Sequence, residues 1–254
     1  MTGRSYGPLI ATLIVIAVNA AANIVPINGM NTGQLSDLNP TGFTPPGWVF
    51  GIWSIIYLGL LTFGFAAILG SPATRERIAA IRMPYYLNAL GNSAWIFVWH
   101  YRKVPLSMAV MLLILATLIV IFLRLRRLPA PSRREFFAVD GVFSLYFGWI
   151  TTATLVNFAA LCFVWQWYPF GLTMDQWALA TVVAAGAVYA WMGALTRDVV
   201  YCLVFVWAAF GVWTGTPRIT EPVQLAAGAG AVVVVFSIFW NLVSRWSPAS
   251  WRMR

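Results

Sequence analysis

Pro45-Pro46-Gly47-Trp48-Val49-Phe50-Gly51-Ile52-Trp53-Ser54-Ile55-Ile56-Tyr57 is the stretch on which the reading of this chain turns. A proline pair cannot continue a preceding helix, but it suits a turn or a first helical turn. The pattern therefore predicts that a long apolar helix opens here, with Trp48, Phe50, Trp53 and Tyr57 on its first three turns. Trp53 and Tyr57 are four residues apart, so they stand one above the other on a single face. An indole N–H and a phenol O–H are thus expected at successive depths of an apolar segment.

The rest of the chain says what surrounds that segment. It has 254 residues, of which 61% are hydrophobic and 9% charged, whereas soluble domains carry about a quarter charged residues. Several apolar stretches reach the roughly 20 residues needed to cross a bilayer. The expected fold is all-α, a polytopic transmembrane helical bundle. Eight spans are expected, near 7–27, 46–69, 84–101, 104–123, 137–165, 174–194, 198–215 and 222–245. The first is expected to be retained, because it has only Arg4 as a basic lead-in and no small-residue cleavage site before a soluble domain. Cys162 and Cys202 fall inside spans and are expected to be free, buried thiols.

The net charge of +9 raises nucleic acid as a partner, but its distribution excludes that reading. With the N-terminus in the cytoplasm, 13 of the 16 basic residues fall on the inner side, among them Arg75, Arg77, Arg82, the run from Arg124 to Arg134, and Arg245, Arg252 and Arg254. This asymmetry predicts that both termini are cytoplasmic, and contact with anionic lipid accounts for the basic excess. The external Asn28–Thr44 stretch is polar and rich in Gly, Asn and Pro, and is expected to form a cap. After Trp167-Tyr168-Pro169 the spans become richer in Ala and Val. Two domains are expected: a five-helix unit at 1–168, and a three-helix extension at 169–254 with a basic cytoplasmic tail.

Polar side chains at bilayer depth tend to face a bundle interior or cavity. Asn19 and Asn23 share one face of the first span. Asn88 and Asn92 repeat that spacing in the third, continued by Trp95 and Trp99. In the fifth, Tyr146, Trp149, Ala153 and Asn157 follow steps of three, four and four. Asn side chains often bond across membrane helices, and tryptophans near span ends, such as Trp165, Trp167, Trp177 and Trp246, are interfacial anchors. Trp149 sits mid-span with Thr151, Thr152 and Thr154 beside it. There the residues leave two readings open, a packed aromatic core or a pocket for a flat, largely apolar ligand.

The Pro45–Tyr57 segment resembles the signature of the translocator-protein or tryptophan-rich sensory protein (TspO/MBR) family, in which Pro-Pro leads into Trp-Val-Phe, then Trp and, four on, Tyr. Asn92-Ser-Ala-Trp95 is similar to that family's third-helix Asn-x-x-Trp, and Tyr146-x-x-Trp149 with Asn157 to its later Tyr, Trp and Asn pattern. The resemblance covers about residues 6–165. The chain departs from it by one residue fewer between Phe50 and Trp53, by no Trp-Tyr pair before the prolines, and by its last three spans. It implies a TspO-like unit that binds a tetrapyrrole (protoporphyrin or haem) or a sterol-like lipid beneath the first loop. The matching site positions are Trp53, Tyr57, Asn92, Trp95, Trp149 and Asn157, with Tyr146 and Phe50 beside them. Trp faces suit stacking on a macrocycle, and Asn and Tyr can meet its polar groups.

No metal site is expected, His100 being a low-ranked haem ligand and more readily an interfacial histidine. Asp140 is expected to pair with a loop arginine. A binding or sensor protein is the first functional reading, with no required cofactor beyond a bound porphyrin, haem or lipid. A structural or assembly subunit of a larger pigment–protein complex is the alternative, and a small-molecule transporter comes third. No enzymatic activity is expected from the residues; porphyrin photodegradation enters by resemblance alone. The expected location is a bacterial inner membrane. The expected partners are the bilayer, a hydrophobic small molecule, and a second copy or membrane-complex subunits.

Overall fold

The structure, a computed structural model, describes residues 3–215 and 218–243. Trp246 and the tail arginines Arg245, Arg252 and Arg254 lie outside the described residues. All regular structure among the described residues is helical, as the composition predicts. The elements are α1 (Gly7–Ile24), α2 (Thr32–Asp37), α3 (Ile52–Leu69), α4 (Pro72–His100), α5 (Val104–Arg126), α6 (Arg133–Glu135), α7 (Gly141–Trp165), α8 (Met174–Thr196), α9 (Val199–Thr214) and α10 (Glu221–Val243). Among the described residues, six helical segments are long and apolar enough to cross a membrane.

Two of the eight expected spans fall outside that set, each for a definite reason. Helix α9 has 16 residues, about 24 Å at 1.5 Å per residue, against a hydrocarbon core of about 30 Å. Helix α4 is long enough at 29 residues. However, Arg75, Glu76, Arg77 and Arg82 occupy its first turns, and Asn, Tyr, Trp and His interrupt the remainder. The Arg75–Arg82 segment, expected as a loop, is thus part of this helix. Ser71 caps it through Thr74 N, and Pro72 sits at its start, where a missing N–H costs nothing.

The chain divides into two compact units. The first comprises 1–40 and 50–167. Its five long helices close a ring: α1 packs on α3, α3 on α7, α7 on α5, α5 on α4, and α4 back on α1. Close approach depends on small residues, as in other membrane bundles. A Cβ placed on Gly64 would lie 2.9 Å from Leu9 Cα, so α1 and α3 meet nearly backbone to backbone there. Between α5 and α7, Ser132 and Glu135 form a capping box, and a π-turn over Phe136–Asp140 leads into α7.

The second unit comprises 41–49 and 168–254, with α8, α9 and α10 in mutual contact. Its short segment is fixed by Trp48, which meets Trp207 edge-on at 5.1 Å and Phe210 at 5.9 Å, and by Trp207 Nε1–H, which donates to Val49 O at 2.9 Å. Cys162 and Cys202 are buried thiols outside any disulfide, as expected.

The opening motif is therefore divided. Gly47–Gly51 forms a 3₁₀ turn, and α3 begins only at Ile52. Glycine at both ends disfavours an earlier α-helical start. Pro45 to Val49 belongs to the second unit, and Phe50 onward to the first. The Asn28–Thr44 cap also holds more structure than its composition announces. Asn31 and Gln34 form a capping box that starts α2, and Leu35 is buried.

Candidate functional site

The interior of the first unit is a series of polar and aromatic levels strung along α4. Arg77 and Trp99 are 22 residues apart, about 33 Å at the helical rise, close to the thickness of a hydrocarbon core.

At one end, Arg77 holds Asp140 through two bonds of 2.8 Å, Nε–H to Oδ2 and Nη2–H to Oδ1. Its Nη1–H reaches Pro129 O at 2.8 Å. The expected partner of Asp140 is thus Arg77, on α4. One level inward, Thr12 Oγ1 and Tyr85 Oη are 2.5 Å apart. Phe63 packs edge-on against both Tyr85 and Phe143.

The middle level joins three helices. Asn19 Nδ2–H of α1 donates to Asn92 Oδ1 of α4 at 2.8 Å, and Asn92 Nδ2–H donates to Tyr146 Oη of α7 at 2.7 Å. All three residues are buried. Against them lies the aromatic wall. Trp53 stacks on Tyr57 with centroids 5.4 Å apart and planes 22° apart. Trp53 also meets Tyr146 at 5.8 Å and Trp149 at 6.3 Å, both edge-on. Phe50 meets Trp149 edge-on at 5.8 Å. These edge-to-face arrangements are those that ring quadrupoles favour. Phe50, Trp53 and Tyr57 are half-buried, whereas Tyr146 and Trp149 are 1% and 2% exposed. The wall thus has a partly open front layer and a sealed back layer. Trp149 Nε1–H is buried without an acceptor, which is uncommon for a polar group inside a protein.

The next level holds the remaining expected residues. Trp95 Nε1–H donates to Asn157 Oδ1 at 2.9 Å, and Asn157 Nδ2–H donates to Ser107 Oγ at 3.0 Å. Trp95 stacks on Trp99 at 5.3 Å with planes 14° apart. The eight expected positions thus form two adjoining groups. Phe50, Trp53, Tyr57, Asn92, Tyr146 and Trp149 make the first, and Trp95 and Asn157 the second.

Four sequence readings change here. Asn88 does not share the orientation of Asn92: it donates to Ile114 O at 3.3 Å and Thr117 Oγ1 at 3.0 Å of α5. Asn23 is exposed, and bonds back to Asn19 O of its own helix. The Thr151 and Thr154 hydroxyls donate to Phe147 O and Ile150 O of their own helix rather than lining a pocket. His100, expected at the interface, is 0% exposed. Its Nδ1 lies 2.7 Å from Ile96 O. A carbonyl only accepts, so this nitrogen carries the proton, and Nε2 is left without a partner.

Residues that sequence reasoning missed are Ser107 and Thr12. Both are small hydroxyls that bond locally as well as across helices, and nothing in their spacing marks them. Asn31-x-x-Gln34 was a readable signal for α2.

Among the described residues, no three His, Cys, Asp or Glu side chains gather as a metal set. No curated protein and no solved structure shows a match to this chain. A family model described as TSPO-like protein matches residues 6–240, and so runs through α8 and α9 into α10, beyond the 6–165 stretch that carries the motif resemblance. The chain belongs to the TSPO-like protein family.

Proposed function

We propose that this membrane protein binds a flat hydrophobic ligand, a tetrapyrrole or a sterol-like lipid, against the wall formed by Phe50, Trp53 and Tyr57. One observation carries the reading: Phe50, Trp53 and Tyr57 are half-buried, an aromatic face left partly open in front of the sealed Tyr146 and Trp149. Trp149 meets Phe50 and Trp53 edge-on from behind, so a ring laid on the front layer rests on a fixed aromatic base. In this reading the Trp53–Tyr57 stack supplies the face for the ligand. Asn92 and Asn157 already bond to Tyr146 and Trp95, so they act by holding those rings in place. The arginine asymmetry supports an inner-membrane location with both termini cytoplasmic.

The test is a titration of purified protein with protoporphyrin, read as tryptophan quenching. Saturable quenching that weakens in Trp53→Phe and Trp149→Phe supports the proposal. No saturation, or quenching unchanged in both variants, removes it.

A second reading, an assembly subunit of a larger membrane complex, is favoured by the aromatic faces of the second unit. Phe236, Phe239 and Trp240 on α10 are each about 60% exposed. Stoichiometric partner subunits retained after gentle solubilisation would support it, and a monodisperse homo-oligomer would count against it.

A further inference from the structure

Beyond the aromatic wall, the same unit has a cleft at the far end of α4. Its volume is about 320 Å³, and Leu35, Asn39, Trp99, Arg102, Val104 and Val164 line it. This lies at the lower end of the ~300–1,000 Å³ usual for small-molecule sites. Its floor is apolar: Leu35, Trp99 and Val104 form one hydrophobic cluster with Ala160 and Leu161.

The edge of this cleft points to a charged ligand. Arg102 is exposed, and no hydrogen bond or ion pair holds its guanidinium among the described residues. Its backbone has φ +56°, a left-handed conformation that costs a non-glycine residue about 1 kcal/mol or more. The fold tolerates this one residue after α4, with Arg102 N–H bonded to Trp99 O at 2.9 Å. The cleft therefore presents an apolar floor and a cation at its edge.

We propose that this cleft binds a single-chain amphiphile with an anionic head, its chain on Leu35, Val104 and Val164 and its carboxylate or phosphate oxygens on Arg102. The proposal uses none of Phe50, Trp53, Tyr57 or Trp149, and stands apart from the reading of the aromatic wall. Charge-assisted bonds from arginine to carboxylate or phosphate are the strong class of hydrogen bond, so the head group decides the affinity.

The experiment is equilibrium binding of radiolabelled palmitate to the full-length protein in neutral detergent at pH 8. Unlabelled palmitate, lysophosphatidate and hexadecanol serve as competitors. One saturable site is expected, with hexadecanol at least about tenfold weaker than either anion. The better anionic competitor identifies the head as carboxylate or phosphate. Arg102→Gln is expected to weaken binding about tenfold. Val164→Trp, at a position 45% exposed, fills the cleft and abolishes binding without touching the core. Arg102→Gly is expected to raise the thermal midpoint, because glycine accepts positive φ, while losing affinity as Arg102→Gln does. That split separates ligand recognition from folding. Equal displacement by hexadecanol, or affinity within twofold of wild type in both Arg102→Gln and Val164→Trp, overturns the proposal. So does weakening in Trp53→Phe and Trp149→Phe alone, which would assign the ligand to the aromatic wall.

Discussion

Replacing Asn92 with alanine tests whether the middle level holds the wall in place. The carboxamide accepts from Asn19 at 2.8 Å and donates to Tyr146 at 2.7 Å, so the change removes two interhelical bonds at once. Such bonds in membrane proteins average about 0.6 kcal/mol and reach about 1.7; two of them give about 1.2–3.4 kcal/mol. The site is buried, and a methyl-sized cavity adds about 1 kcal/mol. The expected loss is therefore about 2–4 kcal/mol, read from reversible unfolding in mixed detergent–SDS micelles. Tyr146→Phe removes one of the two bonds and leaves one Asn92 N–H unpaired, so its effect is smaller. Asn19→Ala also has a smaller effect, because it leaves the Asn92–Tyr146 bond in place. The Asn92→Ala/Tyr146→Phe double-mutant cycle should give a coupling of about 0.6 kcal/mol. A loss under about 0.5 kcal/mol for Asn92→Ala, or strict additivity in the cycle, would refute the argument.

Three further outcomes follow from the same interior. Arg77→Met strands the Asp140 carboxylate and is expected to cost about 3–5 kcal/mol, whereas Arg77→Met with Asp140→Leu recovers most of the loss, by the same unfolding assay. Gly64→Leu drives a side chain into Leu9 Cα, 2.9 Å from where its Cβ must stand, and should cost about 1–3 kcal/mol or more. Gly91→Ala meets the Ile114 side chain at 3.1 Å and the Leu113 side chain at 3.8 Å, with no backbone atom in the way, and should cost less. Trp149→Phe removes a buried N–H that has no acceptor, which offsets the lost ring volume. Its stability should stay within about 1 kcal/mol of wild type while protoporphyrin quenching weakens, and a large destabilisation would make Trp149 a packing residue.

The bundle was legible because a charge-poor chain of this length must bury its apolar faces in lipid or in itself, and the Asn, Tyr and Trp spacings lay on α-helical faces. Those spacings place Trp53 and Tyr57 on one face of α3, and Tyr146 and Trp149 on one face of α7. Three features were hidden. Asn88 and Asn92 differ by about 40° around the helix axis, since four steps of 100° overshoot a full turn. That offset turns one toward α5 and the other toward α1 and α7, and spacing alone does not show which neighbour each meets. The division of the Pro45–Tyr57 motif between two units depends on the 3₁₀ turn at Gly47–Gly51, whose 120° step re-aims Trp48 and Phe50. Lastly, the burial of His100 is a tertiary fact: Asn28 Nδ2–H crosses from the preceding segment to His100 O at 3.0 Å, and no local pattern announces that contact.

The ligand proposed for the aromatic wall is flat and hydrophobic, and a tetrapyrrole is the form of it that visible light detects. Its most direct measurement is the visible absorption of the protein purified after its native membranes are saturated with protoporphyrin. A Soret band is expected to co-elute with the protein at one porphyrin per chain, displaced from the free-porphyrin position, with the displacement lost in Trp149→Phe. A protein that elutes from saturated membranes without a Soret band, or with an unshifted one indifferent to Trp53→Phe and Trp149→Phe, would contradict it.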